Sequence, residues 1–187
     1  NPWEEITEED AKTAIPRMFN VPEGATNPYW QAMEPQDPDS LPGTMVELDF
    51  DLNGASFNAR AQYGSDEGED ISGMYYEWDQ SEDVTLANWG GGEMRAKVSR
   101  CTSAEEPAIL CSWYDVEIGI GYCLSSASEH ADEIDIVAIA DSMAPDEEFM
   151  PGSFAEEKAQ KNTFDSEEDL LSYLEKGQGY AKLKLIG

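Results

Sequence analysis

The stretch Ala108–Met143, AILCSWYDVEIGIGYCLSSASEHADEIDIVAIADSM, reads as a β-hairpin feeding into an amphipathic helix, and the rest of the chain is organised around it. In its second half Ile136, Ile139, Ala140 and Met143 share one face at helical spacing, and Ile134 and Val137 widen that stripe. The spacing predicts one long helix, Ser128 to Met143, lying along a sheet. Ser126 with Glu129 three residues on is a candidate capping box, and Asp132 and Glu133 stand near the positive end of the helix dipole. These features speak to architecture rather than to chemistry.

The hairpin admits two registers. A pivot symmetric about Glu117 sets Cys111 opposite Cys123, where a cross-strand disulfide is conceivable. The competing register places Ile109, Cys111 and Trp113 on one face with Ile120, Tyr122 and Leu124, buries more apolar surface and parts the two thiols. The second is preferred, and it makes the thiols free and mostly buried. With Cys101 the chain has three cysteines, too few and badly spaced for a disulfide framework or a zinc site.

Upstream, Asn53-Gly54 is the dipeptide favoured by type I′ turns, with alternation on both sides. Pairing about it sets Phe50 opposite Phe57, Leu48 opposite Ala59 and Val46 opposite Ala61 on one face, and Glu47 opposite Arg60 and Asp49 opposite Asn58 on the other. Thr44 to Tyr63 is therefore expected to form two adjacent antiparallel strands with one wet face. Before them, Thr7 caps a short helix to Ile15 that Pro16 closes, and a strand fits Tyr29 to Met33. After them, Gly64 to Asp70 reads as an acidic loop and Ile71 to Trp78 as a strand broken by Ser81 to Asp83. Val84 to Trp89 and Glu93 to Cys101 then form strands around Gly90-Gly91-Gly92. The sum is an α+β domain over 1–145: an antiparallel meander sheet, one long helix packed on one face and a short N-terminal helix. Residues 146–187 form a linker and a helix-strand appendage, the helix over Asp165 to Lys176 and the strand over Tyr180 to Ile186, whose edge could pair with another molecule.

Composition narrows the function. Against 11 Lys and Arg stand 40 Asp and Glu, and a formal charge of -29 repels phosphate backbones and anionic bilayers, so neither nucleic acid nor a membrane surface is an expected partner. The 40% hydrophobic content supports a core rather than disorder, and no apolar run is long enough to insert into a membrane. A chain that begins at Asn1 rather than Met reads as a mature or trimmed form of an exported protein, and excess acid without basic patches suits an extracytoplasmic setting.

The candidate chemistry resolves into structural readings. Asp49, Asp51, Asn53 and Gly54 spell the opening of a calcium loop, but position 12 is Arg60 where a bidentate Glu is needed, and the hairpin explains the same residues. Asp66, Glu67, Glu69, Asp70, Asp79, Glu82 and Asp83 read as a solvated acidic region. His130, the one histidine, is read as a surface residue, since no nucleophile elbow or metal cluster accompanies it and nearby Cys123. Trp30, Tyr75, Tyr76, Trp78, Trp89, Trp113, Tyr114 and Tyr122 either fill the core or line a groove for glycan or peptide, and core filling is preferred. No catalytic, cofactor-binding or metal-ligating residue is assigned.

The succession NPW, a short helix, FNVPEGA, the NG hairpin, ISGMYYEW and LCSWYDVEIGIGYCLS running into EIDIVAIADSM resembles a family of uncharacterised domains in exported or lipid-anchored proteins of Gram-positive gut bacteria. It is similar, more distantly, to extracellular C-terminal domains of anti-sigma factors. The resemblance spans about residues 1–145, carries no active-site residues and implies a secreted or membrane-tethered domain with a helix on an antiparallel sheet. The function expected is non-catalytic binding or sensing of a protein or glycan ligand at the cell surface; an envelope hydrolase using paired carboxylates and a structural spacer are the alternatives.

Overall fold

Hairpin chemistry sets the first half of the sheet. Asn53 and Gly54 both take positive φ (52° and 82°), as a type I′ turn requires, and join β3 (Met45–Leu52) to β4 (Ala55–Tyr63). The pairs Phe50 with Phe57, Leu48 with Ala59, Val46 with Ala61 and Glu47 with Arg60 form as the alternation predicts. In this computed structural model residues 1–146 are described and, beyond them, Glu168 alone, which is helical and exposed. The rest of the expected helix-strand appendage, including Tyr180 to Ile186, lies outside the described residues.

The other strands are β1 (Glu4–Glu5), β2 (Thr26–Met33), β5 (Gln80–Leu86), β6 (Met94–Cys101), β7 (Ala108–Asp115) and β8 (Ile120–Ala127). They form one antiparallel eight-stranded sheet in the order β1-β2-β3-β4-β8-β7-β6-β5. Two four-stranded meanders thus meet at β4 and β8, instead of one meander running through all strands. The β7–β8 register pairs Cys111 with Leu124 and Trp113 with Tyr122, which is the apolar-burying alternative. All three cysteines are free and buried, with Cys111 and Cys123 on opposite faces.

Helix α1 (Glu8–Ala14) starts in a reciprocal capping box between Thr7 and Asp10. The expected long helix is corrected. Ser128–Met143 divides into a 3-10 turn at Ala131–Glu133 and a shorter α2 (Ile136–Ser142), with Ile134 extended between them. Asp135 supplies the reason: its side chain accepts from the Ala138 amide and caps a new helix start, a local bond that Asp offers in competition with the helical ladder. The stripe survives, since Ile136, Ala140 and Met143 are fully buried and Ile134, Val137 and Ile139 pack on the core.

The expected strand at Ile71–Trp78 is also absent, and Ser81–Asp83 lie within β5 rather than breaking it. Asp70 and Ser72 turn the chain, Gly73 takes φ 70°, and residues 64–79 become a crossover from mid-sheet to the far edge. An edge strand tolerates the charges of Glu82 and Asp83 because that side needs no partner strand.

Packing gives the sheet two unlike faces. The inner face, under both helices, carries the main core, in which Trp89 contacts Trp113 and Tyr122 at centroid distances of 5.1 and 4.8 Å, and Phe19 stacks on Trp30. The Trp89 indole donates to the Ala140 carbonyl at 2.9 Å, tying α2 to the segment after β5. The outer face has a small apolar patch of Met45, Ile71, Leu110 and Cys123, flanked by Trp3, Met33 and Trp78, and is otherwise polar.

Candidate functional site

The crossover turns the outer face into a groove. It leaves β4 with the Gly64 amide bonded to the Gly119 carbonyl, passes Arg60, whose guanidinium donates to the Ile71 carbonyl at 3.1 Å, and reaches β6 where the Asp79 amide bonds to the Arg100 carbonyl. From Gln80 the chain returns as β5 along the sheet edge. Between crossover and edge lies a cavity of about 900 Å³, within the size range of ligand sites. Leu110, Ser112, Tyr114, Gly121 and Cys123 of β7 and β8 form its floor. Glu67, Glu69, Asp70, Ile71 and Trp78 line the crossover side; Asp83 and Thr85 of β5 with Arg95, Lys97 and Ser99 of β6 line the other.

Strand alternation places these side chains. In MRAKVSRC, Ala96 and Val98 are buried in the inner core, so Arg95, Lys97 and Ser99 face outward. Register then sets Asp83 opposite Lys97, and Lys97 opposite Ser112. The Tyr114 hydroxyl donates to the Ser65 carbonyl at 2.9 Å, and burial together with Glu67 and Asp66 raises its pKa. Gly121 sits under Ser65, where a Cβ would come within 2.6 Å of its hydroxyl, so the glycine lets the crossover lie close to the sheet.

Beside the groove, Glu47 is 4% exposed and is held by Arg60 at 2.7 Å and by the Gln31 amide, while Trp3 stacks on the guanidinium at 5.3 Å. Arg60 therefore fastens β3, β4, the N-terminal segment and the crossover together. Burial pushes the thiols of Cys111 and Cys123 up to about 12, so neither supplies a thiolate near neutral pH. A smaller cavity of about 260 Å³, lined among others by Arg17, Asn88, Trp89 and Asp115, adjoins the groove, and Glu93, Met94, Tyr114 and Val116 line both. Its buried Arg17–Asp115 pair at 2.8 Å serves the fold, for the Arg17 carbonyl accepts from the Tyr122 hydroxyl. Burial works to lower the Arg17 pKa, and the bond and charge of Asp115 outweigh it, leaving it raised.

The residues singled out in the sequence separate clearly. His130 is exposed and its imidazole lies 3.6 Å from Glu133; among the described residues no bond joins it to Cys123. Asp49 accepts from Asn58 and Asp51 from Asn27 and Ser56, so neutral donors engage the carboxylates of the calcium-like motif. Burial raises the Asp49 pKa, its bond to Asn58 opposing the shift. Among the described residues no cluster suited to a metal ion occurs. In the acidic region Asp79 caps the Thr102 and Ser103 amides, which lowers its pKa, and Glu82 pairs with Arg100. Of the eight aromatics, Trp30, Trp89, Trp113 and Tyr122 are core, whereas Trp78 and Tyr114 line the groove, Tyr76 stacks on Trp78 and Tyr75 is fully exposed on the crossover. The sequence reading missed Thr85, Arg95, Lys97, Ser99 and Ser112. The signal was the period-2 spacing of Arg95, Lys97 and Ser99 against Ala96 and Val98.

The chain matches no protein-family model, no curated protein and no solved structure. No helix among the described residues is long and apolar enough to cross a membrane.

Proposed function

We propose that this is a non-catalytic, extracytoplasmic domain that binds or senses a polar ligand, protein or glycan, in the outer-face groove. The observation that carries this reading is the cavity of about 900 Å³, which joins hydroxyl, charged and aromatic side chains on a rigid sheet. Strand-borne side chains are held without the ordering cost that a loop would incur. The acids on the crossover support binding over hydrolysis, since Glu69 accepts from the Asp66 amide and Asp70 from Ser72, which uses them as loop caps. A smooth acidic spacer would need no such groove. The acid-rich composition supports an exported setting.

The test is a titration of isotopically labelled protein with panels of defined peptides and glycans. Amide shifts should concentrate at Thr85, Lys97, Ser99 and Ser112, and filling the floor with Ser112→Trp should abolish binding without altering the fold. Shifts that map to other surfaces, binding indifferent to Ser112→Trp, or no response to any panel member would refute the groove as the ligand site.

A further inference from the structure

The geometry points to an extended peptide bearing both carboxylate and ammonium groups as the ligand, with Arg95 and Lys97 receiving its carboxylates. This rests on the groove being the ligand site. Lys12, Arg17, Arg60 and Arg100 each contact a carboxylate, whereas Arg95 and Lys97 have no ion-pair partner among the described residues. Both are exposed, stand two residues apart on one face of β6 and line the same groove. Among the described residues four of the six cations are thus paired, and these two are not. Asp83 is directly opposite Lys97 in the ladder, yet no ion pair joins them. The two cations are thus left available to an outside anion.

Which anion follows from the field around them. A net charge of -29 opposes any polyanion along its whole length. A single carboxylate in contact with Arg95 and Lys97 lies well inside the screening length of about 8 Å at physiological ionic strength, where the local pair outweighs distant charge. The crossover side presents Glu67, Glu69 and Asp70. A ligand with carboxylates alone would meet repulsion there; on the opposite side, where Asp83 and Glu93 stand beside Arg95 and Lys97, one with cations alone would leave those two side chains unmatched. A mixed-charge peptide satisfies both sides, and Ser99, Ser112 and Thr85 offer hydroxyls to its backbone. Arg95 and Lys97 are then specificity-determining residues.

A display library of random eight-residue peptides, selected on the immobilised full chain, tests this. Peptides enriched in both acidic and basic residues are expected, with enrichment lost on the groove-blocked Ser112→Trp. The double variant R95S/K97S should lose the acidic enrichment while keeping the basic one, and should bind the best selected peptide about tenfold or more weakly, as loss of charge-assisted bonds implies. Arg95→Lys should retain most of the affinity. Circular dichroism checks the fold, and the single variants serve if the double one is perturbed. Enrichment in basic residues alone, acidic enrichment that survives R95S/K97S, or selection indifferent to Ser112→Trp would overturn the assignment. An array of uronate-bearing oligosaccharides runs in parallel. Glycan binding through Arg95 and Lys97 without peptide enrichment overturns the peptide and leaves the groove standing; silence on both overturns both.

Discussion

Ile136 is the residue on which the attachment of α2 to the sheet can be tested most directly. Its side chain is fully buried, and α2 packs against β5, β7 and β8. Ile136→Ala removes three carbons. At about 0.8 kcal/mol per buried methylene the lost transfer energy is about 2.4 kcal/mol. A residual void of about 60 Å³ adds about 1.4 kcal/mol at 24 cal/mol per Å³ if the site does not collapse. Partial collapse puts the expected loss at about 3 kcal/mol. Ile139, one turn position away and only half-buried, should cost about 1 kcal/mol under the same change. The measurement is urea denaturation followed by tryptophan fluorescence, to which Trp30, Trp89 and Trp113 report from the core. Ile136→Asp should leave the domain unfolded, because a lone carboxylate would be buried without a partner. Equal losses at 136 and 139, or a loss below about 1 kcal/mol at 136, would show that the helix is not seated on this face.

Other perturbations probe the remaining joints. Glu47→Ala leaves Arg60 facing a buried space without its acid and should cost about 2 kcal/mol in the same denaturation assay; a neutral result would mean the pair contributes nothing net. Tyr122→Phe removes a donor from the Arg17 carbonyl and should cost about 1 kcal/mol, read as a lowered melting temperature. Gly54→Ala places a Cβ at φ 82° and should destabilise the hairpin by about 1 kcal/mol, whereas no change would argue against the I′ turn. Cys111 and Cys123 have thiols raised by burial to about 12, above the usual unfolded value of about 8.5. Their contribution is fully present below the unfolded value and is lost as pH rises toward 12, so stability should fall in that alkaline window and a C111A/C123A variant should fall less. Native protein at pH 8 should resist thiol-specific reagents at both positions, and rapid labelling would contradict their burial.

The legible parts of the fold were those where two local signals agreed. At residues 44–63 the turn dipeptide and the alternation specify one register, and that register forms pair for pair. In Ala108–Ala127 apolar alternation alone selected the right pairing and put the thiols on opposite faces. The long helix failed because the stripe Ile136, Ala140, Met143 fixes which residues are buried but not where the helix begins. The start is decided by Asp135 and the Ala138 amide, a contest among several acidic caps within HADEID. Ile71–Trp78 failed for a different reason. Ile71 and Trp78 do pack on the sheet, but as a cover rather than as a rung of the ladder, while Tyr75 is exposed, and composition does not distinguish those roles. The groove was illegible for the same cause, since it exists only once three strands separate β5 from β4.

That placement accounts for the groove in physical terms. Had β5 paired with β4, the chain would have turned tightly and the outer face would be bare. With β8, β7 and β6 between them, it must cover four strand spacings of about 4.8 Å across and about seven residues along the strands, a diagonal of about 30 Å. Sixteen residues separate Tyr63 from Gln80, enough to span about 54 Å if fully extended. The surplus length cannot lie flat against the sheet. It is taken up by the acidic turn at 64–70 and by the Gly73–Trp78 stretch with exposed Tyr75, while Ile71 and the Arg60 guanidinium pin its middle. A segment pinned at its middle and at both ends, and too long for its path, stands up from the sheet as a wall. The outward row Arg95, Lys97, Ser99 then faces a wall of acids across a floor of Ser112 and Tyr114, so the connection that routes the chain to its far edge also creates the two-signed groove.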